Sequence, residues 1–147
     1  MIPVLLDPTV VPEKYKPWYQ TYEQNKDAAV LPVSAMTLFK ANYNPEPSSP
    51  LYSPILHPKG HGDLPPIYFQ VCGMDPLRDE ALIYEKILQE EYGGRTKLDV
   101  YQGVPHGFWS FFPTLKVSTR FVEDTVKGMV WLLQEGRSGD KISAKLT

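Results

Sequence analysis

Fifteen of the 147 residues are proline, and twelve of them fall within residues 1–66. Proline locks φ and has no backbone N–H, so it breaks helix interiors and is excluded from central strands. The prolines at 8, 12, 17 and 32 therefore forbid a long helix in residues 7–33, and residues 44–66 read as a proline-rich connection. Two short elements remain possible in this half. Residues 2–6 (Ile-Pro-Val-Leu-Leu) read as an apolar strand stopped by Asp7-Pro8. Ser34 can cap a helix over about 35–43, with Met36, Leu38, Phe39 and Tyr43 as candidates for its buried side.

Regular structure is expected after residue 66. Ile67–Cys72 is a continuous apolar run interrupted only by Gln70, the pattern of a strand buried on both faces of a parallel sheet. Gly73 ends it. Asp75-Pro76 then reads as the cap and first position of a helix, with Asp79 and Glu80 in the first turn, where the helix dipole favours negative charge. Leu77, Ala81, Tyr84 and Leu88 share one face of that helix, and Gly93-Gly94 closes it. Lys97–Tyr101 alternates as a second strand, and residues 102–113 form a glycine- and aromatic-rich loop. A last amphipathic helix spans about 115–134, with Phe121, Val122, Val126, Met129, Val130 and Leu133 turned inward. It is expected to end at Gly136, before a polar, disordered tail. Strand, helix, strand, loop, helix is a β-α-β arrangement of the α/β class.

Composition narrows the function. A net charge of −2 and a pI near 5.9 argue against nucleic acid or an anionic membrane as partner. No apolar run approaches the ~20 residues of a membrane span. The opening residues lack the basic and small-residue features of a signal peptide. The single cysteine, Cys72, fits a reducing compartment, so a cytoplasmic location is expected. His57 and His61 stand four apart, but the proline and glycine between them preclude the helix that would align both on a metal. No metal or cofactor is expected.

Two residues stand where chemistry gathers in α/β proteins, at the carboxyl ends of adjacent strands. Asp75 follows the first strand and His106 lies in the loop after the second, 31 residues on. A carboxylate that holds a histidine's tautomer, so that the ring can take a proton from a nucleophile, is the logic of a hydrolytic triad. The same residues have plainer readings: Asp75 is fully explained as a helix cap, and His106 as a surface histidine in a turn. Asp79 is the rival acid, one turn further along the helix. Tyr15, Trp18, Tyr19 and Tyr22 either line an acyl pocket or staple a long loop. Phe108, Trp109, Phe111 and Phe112 either wall the site or pack the last helix. As substrate-binding candidates Trp18, Tyr19, Phe108 and Trp109 are weak.

Residues 64–80 (Leu-Pro-Pro-Ile-Tyr-Phe-Gln-Val-Cys-Gly-Met-Asp-Pro-Leu-Arg-Asp-Glu) closely resemble the acid-bearing segment of the hormone-sensitive-lipase-like α/β-hydrolases, a group of serine esterases and lipases. Residues 100–108 (Val-Tyr-Gln-Gly-Val-Pro-His-Gly-Phe) resemble their histidine segment. Ser53-Pro54 and the 34–43 helix look like the features preceding the family's acid strand, so the resemblance runs from residue 1 to about 134. It implies a triad in which Asp75 is the acid and His106 the base. The family's order is serine, acid, histidine, with the serine in Gly-x-Ser-x-Gly. This chain contains no such pentapeptide, nor the His-Gly-Gly-Gly oxyanion segment; Gly136-Arg-Ser-Gly-Asp only approaches the former.

The resemblance thus implies that residues 1–136 are the C-terminal half of an α/β-hydrolase domain, apparently truncated at its N-terminus. Residues 1–66 supply a strand and connecting region, 67–136 the acid and histidine segments, and 137–147 a polar tail. The expected activity is carboxylic-ester hydrolysis, with a small-molecule ester as substrate and the N-terminal half of such a fold as partner. Two alternatives stand beside it: a non-catalytic small-molecule receptor on the same fold, and an inactive truncated product.

Overall fold

The computed structural model describes residues 6–143, the backbone alone for 136–143. Its centre is a pair of parallel strands, β1 (Ile67–Cys72) and β2 (Thr96–Tyr101), in register from Ile67 opposite Thr96 to Cys72 opposite Tyr101. Alternation along β1 sends successive side chains to opposite faces. Ile67, Phe69 and Val71 pack with Leu98 against Tyr84 and Leu88 on one face. On the other, Cys72 and Tyr101 pack with Val104, Phe108 and Phe121.

The first face is covered by helix α3 (Arg78–Tyr92), which connects the strands. The cap expected at Asp75 is corrected: the helix begins at Arg78 with Leu77 in the cap position and no side-chain cap bond. Asp75 instead closes the turn before it, its Oδ1 accepting from Leu77 N–H at 2.9 Å and its carbonyl from Arg78 N–H at 3.0 Å. Gly93 ends the helix at φ +63°, a left-handed conformation glycine adopts without penalty, and Gly94 N–H closes on Leu88 C=O at 2.8 Å. The helix buries more than the one face read from sequence. Ile83 and Ile87 are also buried, against Leu6, Val11 and Tyr15. The proline-broken N-terminal segment, with 3-10 turns at Pro8–Val10 and Glu13–Trp18, wraps over the side of α3 away from the sheet. Local periodicity cannot register a covering supplied from so far along the chain. Of the strand expected at residues 2–6 only Leu6 belongs to the described residues, and it is fully buried.

Two short helices precede the sheet, α1 (Thr21–Gln24) and α2 (Val33–Tyr43). Ser34 does not cap α2. Pro32 occupies the cap position and its carbonyl accepts from Ala35 and Met36 N–H, which places Ser34 already inside the first turn. The expected buried side of α2 is also corrected: Leu38, Phe39 and Tyr43 are each at least 60% exposed, and Met36 is half-buried.

After the short helix α4 (Phe108–Phe111), the second face is covered by α5 (Lys116–Ser143). This helix continues past Gly136, through residues expected to form a tail; residues 144–147 lie outside the described ones. Its orientation is the largest departure from the sequence reading. Phe121 faces the sheet, whereas Val122, Val126, Met129, Val130 and Leu133 are exposed. What fixes the contact side is polar and steric. Gln70 donates to Phe121 C=O at 3.1 Å and accepts from Thr125 Oγ1 at 2.9 Å. Tyr101 O–H donates to Asp124 at 3.2 Å. Gly128 lies against the Tyr68 ring, where an added Cβ would stand 2.0 Å from two ring carbons. An apolar stripe is visible in sequence; which surface it meets is not. Among the described residues no helix is long and apolar enough to cross a membrane.

Two outcomes follow from this packing. Gly128→Ala should destabilise the chain by about 1–2 kcal/mol in urea unfolding, because overpacking outweighs the better helix propensity of alanine. Cys72, 5% exposed, has its thiol pushed up to about 12 by burial and by the neighbouring Asp75 charge. A thiol reagent should label it in the folded chain far more slowly than after denaturation, because the reactive thiolate is suppressed.

Candidate active site

The loops that follow β1 and β2 are pinned to one another beyond the last strand residues. Gly73 N–H donates to Tyr101 C=O at 2.8 Å and Met74 N–H to Val104 C=O at 3.0 Å. Gly73 is required by this approach, since a Cβ there would lie 3.0 Å from the Gln102 Cα and 3.1 Å from the Tyr101 oxygen. Asp75 and His106 sit one and two residues beyond these pinned positions. A second glycine, Gly107 at φ +65°, turns the chain directly after the histidine and lets α4 begin there.

The pairing brings Asp75 and His106 together. His106 Nδ1 and Asp75 Oδ2 stand 2.6 Å apart, with the ring N–H donating to the carboxylate. Both side chains are largely buried, at 10% and 15% exposure. The two oxygens of Asp75 have separate partners: Oδ1 holds the turn before α3 and Oδ2 holds the imidazole. With Nδ1 engaged, Nε2 is the ring atom left for proton transfer.

Asp79, the rival acid, is turned elsewhere. Its Oδ2 accepts from Gln20 and Thr21 N–H, both at 2.8 Å, and its Oδ1 pairs with Arg78 Nε at 2.7 Å. The two histidines considered as a metal pair also diverge. His61 donates from Nε2 to Ile55 C=O at 3.3 Å and accepts from Tyr84 O–H at Nδ1, while His57 is exposed.

His106 forms part of the wall of a cavity of about 770 Å³. Its lining is mostly apolar and aromatic, with Tyr22, Met36, Phe39, Tyr43, Leu77 and Phe111 among the contributors. Of the exposed apolar residues of α2, Phe39 and Tyr43 border this space. The aromatics nominated from sequence are placed differently. Trp18 is half-exposed beneath Lys86, Tyr19 donates to Glu80, Phe108 is completely buried, and Trp109 stacks on Phe121 with centroids 4.0 Å apart. None of these four lines the cavity. Of the two aromatic groups only Tyr22 and Phe111 do.

One charged side chain, on α2, borders the cavity. Lys40 of α2 pairs through Nζ with Asp7 Oδ2 at 2.5 Å, where Asp7 is 1% exposed. Burial opposes the charge on Asp7. The hydrogen bonds from Lys40 and Thr9 together outweigh it and hold the carboxyl below the usual aspartate range. No motif pointed to Lys40, Asp7, Thr21 or Asn25, because each acts through a partner distant in sequence.

A lowered carboxyl stabilises the fold at pH values above its unfolded value, and that contribution disappears as pH falls through the folded one. Asp7→Asn should therefore lower the thermal midpoint at neutral pH. The gap to wild type should close as pH drops below about 4, the ordinary aspartate value. A gap unchanged between pH 7 and pH 3 would contradict the assignment.

Comparison with known proteins places these features in a family. A family model described as the alpha/beta hydrolase fold matches residues 2–110. An AB hydrolase superfamily protein of Schizosaccharomyces pombe is 42% identical over 140 residues, covering 95% of this chain and 41% of that protein. A versiconal hemiacetal acetate esterase of Dothistroma septosporum is 36% identical over 144 residues, covering 97% of this chain and 43% of its own length. Among solved structures, vibralactone cyclase superposes with a TM-score of 0.81 at 39% identity, over 88% of this chain and 37% of that one. The chain thus spans less than half the length of these relatives.

Proposed function

The chain belongs to the α/β-hydrolase fold family, and from that premise we propose that it carries the acid and the base of a serine-type carboxylic-ester hydrolase. The observation that carries this reading is the 2.6 Å bond from His106 Nδ1–H to Asp75 Oδ2 at the carboxyl ends of two parallel strands. In it Asp75 orients the ring and stabilises the imidazolium. His106 Nε2 takes the proton of a serine hydroxyl as that oxygen attacks the ester carbonyl, and returns it to the departing alcohol. A receptor needs no such oriented base. The apolar, aromatic wall beside His106 favours esters with a bulky apolar group, since such a lining gains from excluding water around the ligand. Esterases among the relatives are in keeping with that chemistry. The single cysteine, buried as a thiol, suits a reducing, cytoplasmic setting.

A serine nucleophile in Gly-x-Ser-x-Gly is absent from the 147 residues. The purified chain should accordingly hydrolyse a short aryl ester no faster than free imidazole does, because neither a covalent route nor an oxyanion hole is available to it. Function is tested by grafting. The chain replaces the matching segment of the Dothistroma septosporum esterase, and the chimera is assayed on an aryl acetate. Activity is expected, falling by about 10³-fold or more in kcat with His106→Ala or Asp75→Asn. A folded chimera whose turnover ignores both substitutions overturns the proposal.

A further inference from the structure

The backbone of Asp75 is held as firmly as its side chain, and by residues from outside the strand-end loops. Thr21, completely buried, donates from Oγ1 to the Asp75 carbonyl oxygen at 2.7 Å. Asn25 Nδ2 donates to the same oxygen at 3.2 Å and to Thr21 Oγ1 at 3.0 Å. Thr21 is placed in turn by Asp79, whose Oδ2 accepts the backbone N–H groups of residues 20 and 21. Arg78 closes the arrangement, with Nε on Asp79 Oδ1, NH1 on the Gly73 carbonyl at 3.1 Å and NH2 on Gln24 Oε1. The result is a ring of hydrogen bonds. It leaves the α3 entry at Asp75, crosses to the 20–25 segment, and returns to α3 at Asp79.

We propose that Thr21 and Asp79 are positioning residues for ester hydrolysis, fixing the Asp75 main chain so that Oδ2 stays aimed at His106 Nδ1. The inference rests on the reading of Asp75 and His106 as the hydrolytic pair. Asp75 shares its carboxylate between the turn before α3 and the imidazole, so a rotation of its backbone disturbs both bonds. The same carbonyl accepts Arg78 N–H at 3.0 Å in the turn before α3, so the Thr21 and Asn25 bonds fix it from a second side and remove that freedom, and losing the buried hydroxyl weakens the hold. Asp79 supplies charge-assisted bonds to two successive amides, which are the stronger kind. Asp79 thus contributes to the acid's geometry although it touches neither the histidine nor the cavity wall.

The experiment reads the imidazole directly and needs no turnover. The full chain is labelled with 15N in its histidine rings, and the His106 tautomer is read from ring 15N–1H correlations, with the signals identified by their loss in His106→Gln. Wild type is expected in the Nδ1–H form, as a donor to Asp75. Thr21→Val keeps the side-chain shape and removes the hydroxyl, and is expected to give a mixture with the Nε2–H form. Thr21→Ser restores the hydroxyl and should restore the single tautomer. Asp79→Asn should drift in the same direction as Thr21→Val, and it decides the matter if the valine variant does not fold. A folded Thr21→Val or Asp79→Asn chain with the wild-type tautomer overturns the proposal, as does a serine variant that behaves like valine. A wild-type chain lacking the Nδ1–H form overturns the Asp75–His106 pair as well, which separates that failure from the failure of the positioning claim.

Discussion

The Asp75 carboxylate is committed twice, and the rest of the site is arranged around that double commitment. Oδ1 satisfies the amide of Leu77 in the turn entering α3, and Oδ2 takes the ring proton of His106. Each bond limits the torsional freedom that the other leaves. A side chain with two acceptor oxygens on one carbon can close the turn before a helix and orient an imidazole at once, whereas an asparagine in its place has only one acceptor to divide. The strand end, the helix start and the imidazole are in this way coupled through three atoms.

That arrangement exists because β1 and β2 are parallel and in register. Cys72 opposite Tyr101 brings the two following loops out at the same edge, and the Gly73–Tyr101 and Met74–Val104 hydrogen bonds extend the contact past the strands. A slip by one residue would turn Phe69 and Val71 away from α3 and put Gln70 in their place. The core and the site therefore depend on the same register. Burial of Phe69, Val71, Tyr84 and Leu88 fixes it from one side, and the Gln70–Thr125 and Tyr101–Asp124 bonds fix it from the other.

The proline-rich half serves a different purpose. Lacking strands and long helices among its described residues, it lies along α3, buries Ile83 and Ile87, and delivers Thr21 to the Asp75 carbonyl and α2 to the edge of the cavity. Helix α2 has no fully buried residue; the Lys40–Asp7 pair ties it to a buried carboxylate. Its Phe39 and Tyr43 border the cavity beside His106, so an element without a buried residue contributes to the apolar wall.

Much was legible in the sequence alone. The limits of β1, the glycine stop of α3 and the placing of Asp75 and His106 at neighbouring strand ends all follow from local chemistry: β-branched and aromatic runs and glycine where the chain turns. These signals are read within a few residues of where they act. Tertiary structure decided the rest. The apolar stripe of α5 was plain, yet Gly128 against Tyr68 and Thr125 against Gln70 determine which side meets the sheet, and those partners lie more than fifty residues away. The buried sides of α3, the direction taken by Asp79, and the cavity wall of Tyr22, Phe39 and Phe111 likewise depend on segments that meet only in the folded chain. Periodicity reports that a face is apolar; only the packed fold reports what that face touches.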